Sequence, residues 1–194
     1  MNWPVSFSII KHIDLLRRLD VCHLYYGFAK TQPNLKAVWH NDNTSALLLE
    51  LLDSLRVGSE NTARSLACWT IRNVPMTCGS VAWDLLSDER SKVAVKTAEA
   101  FIGGNATSKD LAVAFHDAHM AYWNLTRGGP FPMDFLDAHS SAMHAALRHV
   151  RWWCTINHAI DKKAEPMLCD KIRELVSWEE VEKAVEKFEE GYCY

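Results

Sequence analysis

The chain has 194 residues, long enough to bury a substantial core as one domain or two small ones. Eight Trp, seven Phe and five Tyr exclude a low-complexity or disordered chain, and 21 basic against 24 acidic residues, a formal charge of −3, argue against a surface devoted to nucleic-acid phosphates. No basic-then-apolar leader and no apolar run of the roughly 18 residues that a membrane span needs is present, so a soluble, cytoplasmic protein is expected.

Apolar residues recur with a helical period almost throughout, and no long stretch alternates with a period of two. The predicted fold class is therefore all-α, a compact multi-helix bundle or orthogonal array of about eight or nine helices. The whole chain, 1–194, reads as a single domain. The stretch "AKTQPNLKAVWHNDN", residues 29–43, is its weakest boundary and could set off an N-terminal extension, 1–43, packed on a main body, 44–194.

In chain order, "FSIIKHIDLLRRLDVCHLYYGF" reads as a first helix and "TSALLLELLDSL" as a second. Ser59 is placed to cap "ENTARSLACWTIRNV", which Pro75 closes. After the short segment "SVAWDLL", Ser87 is the expected cap of a helix whose first turn carries Asp88 and Glu89 and whose end is marked by Gly103 and Gly104. Thr107 and Asp110 have the spacing of a capping box for the next helix. The longest helix is predicted over "MDFLDAHSSAMHAALRHVRWWCTINHAI", residues 133–160, entered after "TRGGPFP". Pro166 suits the first position of "PMLCDKIRELV", and Ser177 with Glu180 forms a second capping box, opening an acidic helix that Gly191 stops. Cys22, Cys68, Cys78, Cys154, Cys169 and Cys193 are scattered without a C-x-x-C pair, which predicts reduced thiols packed as small apolar groups.

The segment "CWTIRNVPMTCGSVAWDLLSDERSKVAVKTAEAFIGGNATSKDLAVAF" resembles the alanine-rich, all-helical immunity protein 5-like family of bacterial proteins and its planctomycete relatives. The likeness rests on Cys68 in one helix, Asp88, Glu89 and Arg90 opening the next, Ala94, Ala98 and Glu99 within it and Gly103 at its stop, and it extends over residues 62–173. The resemblance implies an all-helical protein that neutralises a partner protein such as a toxin or defence factor. It supplies no catalytic residue.

Chemistry-bearing residues gather in two places. In "LAVAFHDAHMAYWNL" the apolar face is Leu111, Ala114, Phe115, Ala118, Ala121, Tyr122 and Leu125, while His116, His119 and Trp123 lie together outside it. Two imidazoles one turn apart are half of a zinc site, yet the spacing is not that of a helical H-E-x-x-H and a third ligand has to come from elsewhere. In the long predicted helix, Asp137, Ser141, His144, Arg148, Arg151 and Thr155 share one side. His139 and His149 fall in or beside the apolar arc, where the ordinary reading of a histidine is a neutral, hydrogen-bonded core residue. The acids Asp134 and Asp137 sit in an opening turn, and the glutamates from Glu179 to Glu190 form a solvated face. No phosphate-cradling loop and no nucleophile elbow is present.

The expected function is that of a non-enzymatic protein-binding module of the inhibitor or immunity type, with no metal and no cofactor. Its partner-binding residues are expected to be His116, His119, Trp123, Arg148, Arg151 and Trp152, since Trp and Arg without a core role are the usual anchors of interfaces. Two other readings remain open at this point: a metal-assisted enzyme using His116 and His119 between helices, and a nucleic-acid-binding surface on the basic and aromatic "RHVRWW".

Overall fold

A computed structural model of the chain describes residues 5–42, 44–129, 131–150, 152 and 160–191, with side chains from Lys11 onward. Its α-helices, in chain order, are α1 (Val5–Arg18), α2 (Tyr26–Ala29), α3 (Leu35–Asn41), α4 (Ser45–Ser54), α5 (Glu60–Asn73), α6 (Ala82–Leu85), α7 (Glu89–Ile102), α8 (Ser108–Arg127), α9 (Met133–Ala145), α10 (Glu165–Leu175) and α11 (Trp178–Glu189). The fold is all-α. Among the described residues there is no strand, only two isolated antiparallel bridges, Pro75 with Val81 and Met76 with Ile160. No helix among them is long and apolar enough to cross a membrane.

The chain divides into two compact units, one of residues 1–58 with 169–194, the other of residues 59–168. The division falls after Gly58 and within α10, while the stretch 29–43 lies inside the first unit. In this unit, the expected single first helix is broken: α1 ends at Arg18, a 3-10 turn follows at His23–Tyr25, and α2 is separate, while α3 forms within the stretch 29–43 that was expected as a boundary. The break is made at Asp20, whose φ of 57° is left-handed and lets the Val21 N–H donate 3.0 Å back to the Leu16 carbonyl oxygen. Such a reversal favours glycine, but a short polar side chain tolerates it, and an aspartate gives a weaker sequence signal. This break and the additional α3 are why the helices outnumber the expected eight or nine. Arg56 ends α4 the same way at φ 52°, with the Val57 N–H donating 2.9 Å to the Leu52 carbonyl oxygen.

A buried histidine ties α1 to the end of α2, His12 Nε2 donating 2.8 Å to the Ala29 carbonyl oxygen. At the end of α3, Arg173 of α10 donates to the carbonyl oxygens of Trp39, at 2.9 Å, and of Asp42. The last carbonyls of a helix have no partner within it, and a cation there also opposes the negative end of the dipole. Leu47, Leu48, Leu51 and Leu52 of α4 and Cys169 and Ile172 of α10 are fully buried.

The second unit is built on small residues. Ala94 and Ala98 of α7, Ala114, Ala118 and Ala121 of α8, and Ala138, Ala142 and Ala145 of α9 are all buried, where short side chains let helix axes approach closely. Cys68, Ile71, Leu86, Val95 and Leu111 complete that core. Ser59 with Thr62 and Thr107 with Asp110 form capping boxes at α5 and α8, as Ser177 with Glu180 does at α11 in the first unit.

Three expectations are corrected by local chemistry. Asp88, not Ser87, caps α7: its carboxylate accepts from the Arg90 N–H at 2.9 Å and is gripped by the Arg90 guanidinium at 2.7 Å, a pair that draws its pKa below the usual carboxylate range. Pro166 is the second residue of α10, after Glu165. The long helix stops at Ala145 rather than continuing to 160, because a buried arginine from α5 takes its end. Arg64 Nη1 donates to the carbonyl oxygens of Ala145 and Leu147, each at 2.7 Å, and Nη2 reaches that of Arg148 at 3.5 Å. Trp153, Cys154, Thr155, Asn157 and His158 of the predicted helix lie outside the described residues.

Candidate partner surface on the outer side of α8

α8 presents two apolar stripes. Leu111, Ala114, Ala118, Ala121 and Leu125 recur at the i, i+3, i+7, i+10, i+14 spacing of one helix face and turn towards α7 and α9. Val113, His116, Met120, Trp123 and Arg127 repeat that spacing from a start two residues later, which at 100° per residue sets them on the opposite side. Here Val113 is 54% exposed, Met120 38% and Trp123 46%, and both histidines are exposed. The Arg127 guanidinium lies 4.9 Å from the Trp123 ring centroid, and Thr126 Oγ1 donates 2.9 Å to the Trp123 carbonyl oxygen. His119 stands beside this stripe, stacked on Phe115 with centroids 6.1 Å apart. Phe131 follows α8 and is also exposed, its ring lying where a side chain at Gly128 would meet it at 3.5 Å.

The structure thus unites His116, His119 and Trp123 on solvent-facing turns of α8. The other three expected residues do not join them. Trp152 is only 4% exposed, so it is a core residue and no anchor. Arg148 is exposed, but it follows the end of α9, where Arg64 of α5 holds its carbonyl. Arg151 lies outside the described residues. The sequence reading missed Val113, Met120 and Arg127; their signal was the second i, i+3, i+7 stripe, hidden by Ala and Leu on the first.

Elsewhere the titratable groups serve packing. His139 and Ser91 are fully buried, with Nδ1 2.8 Å from Ser91 Oγ and Nε2 3.4 Å from the Ser87 backbone nitrogen. A backbone N–H can only donate, so Nε2 is the bare nitrogen and Nδ1–H donates to Ser91. The pair has the composition of a nucleophile and its base, but both side chains are sealed from solvent. Burial pushes the His139 pKa down, and that of His144 likewise. His149, expected beside the apolar arc, is exposed instead and lies 2.8 Å from the Glu60 carboxylate, because the helix that would have turned it inward has already ended. The Cys68 thiol is pushed up to about 12 by burial, which leaves it an inert packing group. Among the described residues, no group of three His, Cys, Asp or Glu side chains could hold a metal ion, and no third ligand meets His116 and His119.

No family model matches the chain, and no curated protein and no solved structure matches it either.

Proposed function

We propose that the protein is a non-enzymatic protein-binding module that receives its partner on the outer stripe of α8. The observation that carries this reading is Trp123, half exposed on a helix whose core-facing stripe is already occupied, with Val113 and Met120 in line with it. Exposed apolar groups at helical spacing suit a partner that lays a helix or groove against them, and a Trp flanked by Arg is the usual composition of an interface centre. A cytoplasmic inhibitor of the immunity type, neutralising a toxin or defence factor, is the specific role that the resemblance over residues 62–173 adds to this reading. The metal-assisted reading has two histidines but no third ligand among the described residues, and the nucleic-acid reading loses its aromatic platform with Trp152 buried.

A photo-crosslinking residue placed at Met120, and separately at Glu182 on the exposed face of α11, tests the proposal in the native host. Adducts to a partner protein are expected from position 120 alone. Adducts from position 182 alone would overturn it.

A further inference from the structure

In the first unit, Leu55, Arg56, Val57 and Gly58, which follow α4, and Glu180, Lys183, Ala184 and Lys187 of α11 line a cleft of about 240 Å³. Its charges are three cations and one carboxylate, and the carboxylate is engaged: Glu180 Oε2 accepts from the Ser177 backbone N–H at 2.9 Å and from its hydroxyl at 3.2 Å. Among the described residues, the side chains of Arg56, Lys183 and Lys187 make no ion pair and no hydrogen bond. On α11 that is unexpected. The helix carries six glutamates from Glu179 to Glu190 with its neighbouring turn, yet both lysines stay unpaired and lie one turn apart, where like charges repel. Arg56, which also lines the cleft, ends α4 at a left-handed φ of 52°, a conformation that disfavours any side chain with a Cβ. Leu55 and Val57 are apolar, buried residues of the lining.

We infer that this cleft is a binding site for a small phosphate-class oxyanion. An oxyanion placed between Arg56 and the Lys183–Lys187 pair relieves the lysine repulsion and gives the guanidinium fork the bidentate acceptor it lacks. The volume admits a phosphoryl or pyrophosphoryl group with at most a small organic body. The site is independent of the α8 surface.

Calorimetric titration of the full-length protein with inorganic phosphate, pyrophosphate and phenyl phosphate, at an ionic strength held constant with chloride, tests the assignment. Saturable one-to-one binding is expected for at least one of them. Tighter binding of pyrophosphate than of phosphate identifies an inorganic ligand, and tighter binding of phenyl phosphate an organic phosphomonoester whose body meets the apolar lining residues. Arg56→Gly and Lys187→Gln should each weaken binding about tenfold or more. Arg56→Gly should at the same time raise the unfolding temperature of the unliganded protein, because glycine accepts the left-handed backbone. A residue with only a structural role would not lose binding while gaining stability. Absence of saturable heat with all three probes at millimolar concentration, or undiminished binding in both variants, would overturn the inference.

Discussion

Arg64 shows how one side chain sets the course of the chain. It is 1% exposed, and among the described residues no carboxylate lies within ion-pair distance of it; its charge is compensated by the carbonyls at the end of α9 and by the Phe101 ring, 5.1 Å from the guanidinium carbon. Burial lowers its pKa, but an arginine stays charged, so removing the carbonyls or the fork leaves a costly group behind. Arg64→Lys, which keeps the charge but loses the fork, should cost about 1–2 kcal/mol, and Arg64→Met about 3 kcal/mol, by urea unfolding. The two histidines whose pKa the fold lowers give a second expectation. His139 and His144 have folded pKa values below their ordinary 6.5, so as the pH falls below that value the unfolded chain takes up protons that the folded chain refuses. Stability should therefore be fully present above pH 6.5 and decline towards acid, by at most about 1.4 kcal/mol per pH unit for each histidine. A flat profile of unfolding free energy between pH 7.5 and 5 would refute the neutral assignment.

At the scale of elements, the alanine faces decide how α7, α8 and α9 meet. Ala142 and Ala98 are fully buried, and a larger side chain there has to displace the close-packed neighbours. Ala142→Leu should destabilise by about 1–3 kcal/mol despite adding apolar surface, whereas a mere excess of hydrophobicity would stabilise. At the end of α7 the two glycines differ. Gly104 holds φ 73° and the next amide, Asn105, donates 2.7 Å to the Ala100 carbonyl oxygen, whereas Gly103 has an ordinary backbone. Gly104→Ala should cost about 1–2 kcal/mol, and Gly103→Ala much less, in thermal unfolding. Elements whose ends are set by nearby residues were legible in the sequence: Ser59, Thr107 and Ser177 cap as their spacing predicts, and Gly191, at φ 83°, turns the chain after α11. The end of α9 was not legible, since Arg64 acts on it from some eighty positions away. Nor was the end of α1, where an aspartate takes the glycine conformation. Of the site, His116, His119 and Trp123 could be read from one helical wheel, but Arg148 and Trp152 depended on a helix that tertiary contact cuts short.

At the scale of the whole molecule, labour is divided between buried groups and displayed ones. The interior residues that carry reactive groups, Ser91, His139, Cys68 and Arg64, are buried and spent on packing and capping, while the outer stripe of α8 exposes Val113, Met120 and Trp123 alongside His116 and Arg127. Loss of Trp123 should therefore leave folding almost untouched and appear in association alone. The direct measurement is a titration of the partner recovered by crosslinking against wild type and Trp123→Ala, each shown to be folded by its unfolding temperature. The expected result is an unchanged unfolding temperature with affinity weakened by about 1–4 kcal/mol, the span of an interface hot spot. Equal affinity of the two proteins for that partner would contradict it.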